Sequence, residues 1–401
     1  MNKPVLLMLL SRHPFAEKSG RGVMLRQRIE QAQRRFKTRL AVVGHAAGDA
    51  SDDGLTFLPM AGPLGVAVNA AMLSRAPMQT WLYHGAAARA RVAAMAADAA
   101  AIYVDMLRLV PLARDAPPHV ARVIDYDDLL SERYRLASST DYDVMGFLAQ
   151  RVGPVSRVAR LMAGPLLRAE SARCAAYERD VAGTADLILF TSPREAQALA
   201  ARHVMAAPPM RAPLAETRPP GRRLIFLGNM RYAENVTMLR AMAGAVSALR
   251  AEGAWPADAV IEAVGDHPED LPREFDEQSF RFVGRVADLN TLAGAGVFLA
   301  PVVSGSGVKI KVLDGMALGC PVVATPKALE GLSARANREL LVAATPERVL
   351  RAALSLRDKP RLKQMLAARA RAYLERAHSD AIGDALCDAI EAAIRRRQET
   401  L

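Results

Sequence analysis

A chain of 401 residues, 51% hydrophobic and 24% charged, is long enough for two cores and too apolar for a disordered chain. Its formal net charge of +11 calls for an anionic partner, unless arginine serves here only as a solubilising surface residue. Three widely spaced cysteines, Cys174, Cys320 and Cys387, argue against a disulfide framework and against a zinc site.

The chain opens as βαβ. Residues 4–11 predict a buried strand, too short in its apolar run for the core of a signal peptide, and a turn with Ser19, Gly20 and Gly22 follows. A helix is expected over 23–36 and a strand over 38–44. The SGRG turn lacks the third glycine and the later acid of a dinucleotide fingerprint, so alone it reads as an ordinary strand-to-helix turn. Residues 54–74 carry no charge, but Pro59, Pro63, Gly62, Gly65 and Asn69 break them into a strand, a turn and a short helix, and no membrane span is expected. Further strands are expected at 55–59, 100–106, 120–126 and 187–192, alternating with helices at 86–97, 127–137, 159–181 and 193–202. Five prolines in 206–221 mark a linker.

A second α/β pattern follows, with strands at 224–227, 260–264, 280–283, 296–303 and 321–324 and helices at 235–250, 288–293, 308–318 and 346–356. The tail, 362–397, reads as one amphipathic helix. The expected organisation is an α/β protein of two Rossmann-like domains facing a central cleft, 1–205 and 223–375, joined by a linker at 206–222, with 376–401 returning to the first domain.

Candidate chemistry centres on VVSGSGVKIKVLDGMALGCPVVATPKALEGL, Val302 to Leu332. A glycine turn entering a helix exposes unpaired amides at the positive end of the helix dipole, which suits a phosphate, and Lys309 and Lys311 add charge. Gly307, Lys311 and Asp314 follow the spacing of one helix face, so they can meet a diphosphate and a ribose. The plain alternatives are solvated surface lysines, and Asp314 as a simple partner of Lys311. No ligand set for a metal is seen. The nearest approach to one, Asp125-Tyr126-Asp127, reads as helix capping. His13, at the end of the first strand, is the one histidine with a position suited to an active site.

These motifs are collinear with those of a known family. FLGNM (226–230), FVGRV (282–286), GSGVKIKVLDGMALGCPVVAT and LEGL resemble the nucleotide-binding half of GT-B fold, family 4 glycosyltransferases. SRHPF with SGRG, LSRAPMQTWLYH, YVDMLRLVP and VIDYDDLLSERY resemble the acceptor domain of the subgroup that builds bacterial exopolysaccharide and related surface glycans. The resemblance implies a hexosyltransferase using a UDP- or GDP-sugar donor, a glycan or lipid-linked acceptor, retention of configuration and no metal or other cofactor. It implies donor binding by Gly228, Asn229, Gly284, Ser306, Gly307, Lys309, Lys311 and Asp314. It implies Gly20, Arg108, Asp125 and Glu330 on the catalytic side, with Asp128 as an acceptor-side or structural residue. Many members carry glutamates where this chain has Ser306 and Asp314, which leaves the sugar open. Arg108 also reads as a surface arginine, Asp125 and Asp128 as caps, and Glu330 as a turn residue. The expected location is the cytoplasm, with peripheral contact on anionic membrane through Arg34, Arg35, Lys37 and Arg39. No nucleic-acid partner is expected, since aromatic content is 5% and no recognition module appears. The alternative is a non-catalytic subunit of the same fold that binds a nucleotide sugar or a partner enzyme.

Overall fold

The structure, a computed structural model, describes residues 3–16, 20–44, 54–139, 157–214, 220–303 and 307–401. Ser19 and the turn residues Ser304, Gly305 and Ser306 lie outside the described residues. The described chain divides into two units, one running through Met210 and taking in Asp380–Leu401, the other spanning Arg211–Ser379.

The first unit contains β1 (Val5–Leu10), α1 (Gly20–Arg35), β2 (Lys37–Val43), β3 (Leu55–Leu58), α2 (Pro63–Met72), α3 (Met78–Tyr83), α4 (Ala86–Ala96) and β4 (Ala101–Asp105). A 3-10 turn (Leu107–Ala113), β5 (Ala121–Asp127), α5 (Leu130–Ser139), α6 (Arg157–Ala182), β6 (Leu187–Phe190), α7 (Pro193–Ala198) and β7 (Val204–Ala206) follow. The sheet order is β3-β2-β1-β4-β5-β6-β7, with every pairing parallel. A strand covered on both faces reads as an unbroken apolar run, as VLLMLL of β1 does. Leu7 and Leu9 enter the core on one face, while Leu6, Met8 and Leu10 enter the other.

The second core is completed by the C-terminal helix, Ala381–Glu399, which contributes Leu386, Ile390 and Ile394. It packs so closely on α1 that a Cβ at Gly383 would stand 2.4 Å from Gln31 Cδ. The predicted single tail helix is in fact two, because the chain breaks at His378. His378 accepts the Arg211 amide on its carbonyl (2.7 Å) and meets the Tyr373 hydroxyl at 2.9 Å.

The second unit contains β8 (Arg223–Leu227), α8 (Ala233–Ala251), β9 (Ile261–Val264), β10 (Phe280–Gly284), β11 (Gly296–Ala300) and α9 (Ile310–Ala317). It ends with β12 (Val322–Ala324), β13 (Leu341–Val342), α10 (Pro346–Arg357) and α11 (Pro360–Ala377). Its sheet runs β10-β9-β8-β11-β12-β13, again wholly parallel. Strand order therefore reverses between β1 and β4 in one unit and between β8 and β11 in the other. Those are the points where open α/β sheets accept ligands beyond their carboxyl ends.

The first part of the proline-rich segment, residues 206–214, is tied into the two units. Ala206 belongs to β7, the Ala207 amide bonds Phe190 (2.7 Å), and the Leu214 amide bonds Ala317 (3.1 Å). No described helix is long and apolar enough to cross a membrane.

Candidate functional site

In the second unit the ends of β8, β9 and β10 are stitched side by side. The Gly228 amide donates to Val264 (3.0 Å), the Met230 amide to Asp266 (2.7 Å) and the Gly265 amide to Gly284 (2.8 Å). The approach requires glycine at 265, where φ is +136° and a Cβ would sit 2.0 Å from the Gly228 carbonyl oxygen. Gly284, predicted on the donor side, holds a left-handed φ of 73° at the end of β10. Asn229 shapes the turn after β8: its Oδ1 accepts the Arg231 amide (2.9 Å) and its carbonyl accepts Asn235 Nδ2 (2.7 Å).

Asn235 then presents its own Oδ1 to Lys311 Nζ at 2.6 Å. This ties α9 to α8 across the β8/β11 reversal. The ammonium lies 4.8 Å from the centre of the Phe226 ring. Among the described residues no carboxylate forms an ion pair with it. Burial therefore dominates and pulls the Lys311 ammonium down to about 7, against weaker opposition from Glu234.

The other members of the motif sit differently from the prediction. α9 begins at Ile310, so Gly307 (φ 70°) and Lys309, its N-cap residue, precede the helix instead of sharing a face with Lys311. The Lys309 side chain makes no capping hydrogen bond there. Asp314 is taken up by Arg211, whose Nε donates to its Oδ1 at 2.8 Å. Burial raises the Asp314 carboxyl and Arg211 opposes the rise. A partner from inside the proline-rich segment, 103 positions away, has no signal in local spacing. Glu330 accepts Lys327 Nζ at 2.5 Å within a turn, and its neighbour Gly331 packs on the Gly307–Val308 backbone. Ser306 is outside the described residues.

The first unit carries a buried ionic network at the carboxyl ends of β1, β4 and β5. Arg21 Nε donates to Asp105 Oδ1 (3.0 Å) and Nη1 to Asp127 Oδ1 (3.0 Å), while Nη2 lies 3.1 Å from Asp125 Oδ2. Arg28 Nε stands 3.3 Å from the same Asp125 oxygen, and the Tyr103 hydroxyl donates to it. Asp125 Oδ1 accepts the Asp127 amide at 2.9 Å. Asp125 is 0% exposed, with both oxygens engaged inside the network. Asp128 is held by Arg133 (2.7 Å). Arg21 and Asp105 were missed as individuals. The available signal was a charged residue ending each of two apolar strands, with an arginine in the preceding turn.

Gly20 is the first residue of α1, and Arg108 follows β4 beside Ser11. His13 closes a turn, its Nδ1 accepting the amides of Phe15 (3.2 Å) and Ala16 (3.0 Å). Among the described residues no group of His, Cys, Asp and Glu is placed to hold a metal ion. Arg34, Arg35 and Arg39 are committed to Asp380, to Asp388 and Glu391, and to Asp98, so the predicted basic face is largely neutralised.

Residues 221–359, the greater part of the second unit, match the family described as glycosyl transferases group 1. No curated protein sequence matches the chain. Among solved structures, the Anabaena protein Alr3699/HepE in complex with UDP and glucose superposes with a TM-score of 0.62 at 13% identity, covering 97% of this chain and 100% of that one. Sucrose-phosphate synthase from Thermosynechococcus elongatus gives 0.64 at 16% identity, covering 98% and 99%. The lipopolysaccharide outer core galactosyltransferase WaaB in its apo form gives 0.59 at 11%, covering 98% and 99%. The chain has the GT-B glycosyltransferase fold, two Rossmann-like units of parallel sheet and helices.

Proposed function

We propose that the chain transfers a sugar from a UDP- or GDP-sugar to a glycan or lipid-linked acceptor, with retention and without a metal, in bacterial polysaccharide synthesis. The observation that carries this reading is Lys311, a half-buried cation at the carboxyl edge of the second sheet, without a carboxylate partner among the described residues. Breaking the bond from the anomeric carbon to the diphosphate builds negative charge on the leaving oxygen. A fixed ammonium in a dry setting stabilises that charge most where it is greatest, in the transition state. The start of α9 adds amide dipoles of the same sign. The family match over 221–359 and the UDP in the Anabaena neighbour support a nucleotide donor.

A thermal-shift panel of UDP, GDP and TDP with their sugars tests the donor. A ligand at about 100 times its Kd should stabilise the fold by about 2.7 kcal/mol. No shift with any member removes the donor assignment. Sugar release from a shifting donor then separates a transferase from a binding subunit.

Contact with anionic membrane is part of the proposal, through a different face from the one predicted. Leu64, Val68 and Met72 recur on one side of α2 and are 85%, 55% and 76% exposed, within a segment that has no charged residue. Arg75 stands exposed just beyond. Flotation with anionic vesicles should recover the chain, and Leu64→Ser with Met72→Ser should abolish recovery. Equal recovery on neutral and anionic vesicles would count against it.

A further inference from the structure

Arg108 differs from the arginines around it. Arg21, Arg28 and Arg133 all face carboxylates, whereas Arg108 meets only neutral groups. Its Nη2 donates to Ser11 Oγ (3.1 Å) and lies 2.7 Å from Met106 Sδ, and Nη1 donates to Gln79 Oε1 (3.3 Å). The guanidinium stands 5.0 Å from the centre of the Tyr83 ring, and Nε is buried without a hydrogen-bond partner.

Asp105 forms no ion pair with it. Asp105 Oδ2 already accepts the Ser11 amide (3.0 Å) and hydroxyl (2.6 Å), and its other oxygen accepts Arg21. Burial pulls the Arg108 guanidinium down from its ordinary value; Tyr83 and Asp105 oppose the fall, while Arg12 and Arg133 add to it. A planar five-donor fork, half-buried and without a counter-ion among the described residues, is matched by an oxyanion that arrives with a ligand. Beside it Gln79, whose Nε2 donates to Tyr134 OH (2.7 Å), and Tyr83 offer neutral partners suited to sugar hydroxyls.

We infer that the first unit holds an oxyanion subsite with Arg108 as its cation, and that the acceptor is an anionic glycan bearing a phosphate or a carboxylate there. The identity of the ligand as acceptor rests on the glycosyltransferase reading; the oxyanion site itself does not.

Methyl phosphate, glucuronate and the neutral control methyl glucoside are titrated by saturation-transfer NMR into the full chain, with UDP held at saturation so that the donor site cannot contribute. One or both oxyanions should bind in the millimolar range and the glucoside should not. Preference for methyl phosphate assigns a phosphorylated acceptor, and preference for glucuronate an acidic sugar. Arg108→Gln should weaken oxyanion binding at least about tenfold, with Arg108→Lys falling between. Far-UV circular dichroism and the thermal midpoint of both variants report that the fold is intact. The inference is overturned if neither oxyanion binds the parent chain, if methyl glucoside binds equally well, or if folded Arg108→Gln keeps parental oxyanion affinity. Failure of UDP, GDP and TDP alike to bind the parent would instead remove the glycosyltransferase reading, leaving the oxyanion result to stand by itself.

Discussion

Replacing Lys311 with methionine should weaken nucleoside-diphosphate binding by about 10- to 100-fold, the range for losing a hydrogen bond to a charged group. It should also remove most of the pH dependence of that binding. In the free protein the ammonium titrates at about 7, because burial outweighs the distant carboxylates. A bound diphosphate favours the charged form. Below pH 7 the lysine is already protonated and affinity is flat. As pH rises above 7, binding must take up a proton, so affinity should fall by up to about tenfold per pH unit until the raised bound-state value is reached. The stability term has a related sign. A lysine depressed in the folded state works against folding below pH 7, and that penalty is relieved as pH rises from 7 to the ordinary lysine value. The methionine variant should lack this rise, although it also leaves Asn235 Oδ1 without its present partner. Calorimetry from roughly pH 6 to roughly pH 9, in two buffers of different ionisation enthalpy, counts the proton. Affinity within about twofold of the parent would show that the diphosphate lies elsewhere.

The scaffold was legible because most central strands carry a short apolar run bounded by polar turns. VLLMLL and AIYVD fall where they were expected, within one residue at each end, and GVFLA starts where expected but stops three residues early. What escaped detection was either too short or encoded in three dimensions. β13 is two residues long and pairs only because β12 offers a free edge. β7 hides at the head of a proline-rich segment whose composition reads as linker. The motif with its lysines was legible as a motif because it is contiguous. Its wiring was not, since Lys311 bonds Asn235 from 76 positions away and Asp314 bonds Arg211 from 103. Gly307, Lys311 and Asp314 were expected on one helix face, yet α9 starts after Gly307, so helical spacing does not relate Gly307 to the other two.

Arg21→Met should be the most damaging single substitution in the first unit. The guanidinium touches Asp105, Asp125 and Asp127, and the first two are 0% exposed. Removing one member of a buried ionic cluster costs about 3 to 5 kcal/mol, because the charges left behind are uncompensated. That is a large part of a typical domain's stability. Arg21→Lys should not rescue it, since a point charge cannot serve three carboxylates through one planar fork. Adding Asp105→Asn to the methionine variant should recover part of the loss by deleting an orphaned charge. The pH profile separates this from a simple packing defect. Burial favours the neutral Asp105 acid, but Arg21 and the Ser11 hydrogen bonds outweigh it and hold the carboxyl at about 2. Its contribution is therefore present above the ordinary aspartate value and lost as pH falls toward 2. Asp127 has the opposite sign, for burial raises its carboxyl and protonation relieves the strain. Without Arg21 the Asp105 carboxyl rises as well, so the variant should lose the parent's stability at neutral pH and regain part of it as pH falls and both acids protonate. Circular-dichroism melts across the acid range measure both effects. A variant that melts within a few degrees of the parent at neutral pH, with an unchanged acid profile, would show that the network does not hold the unit together.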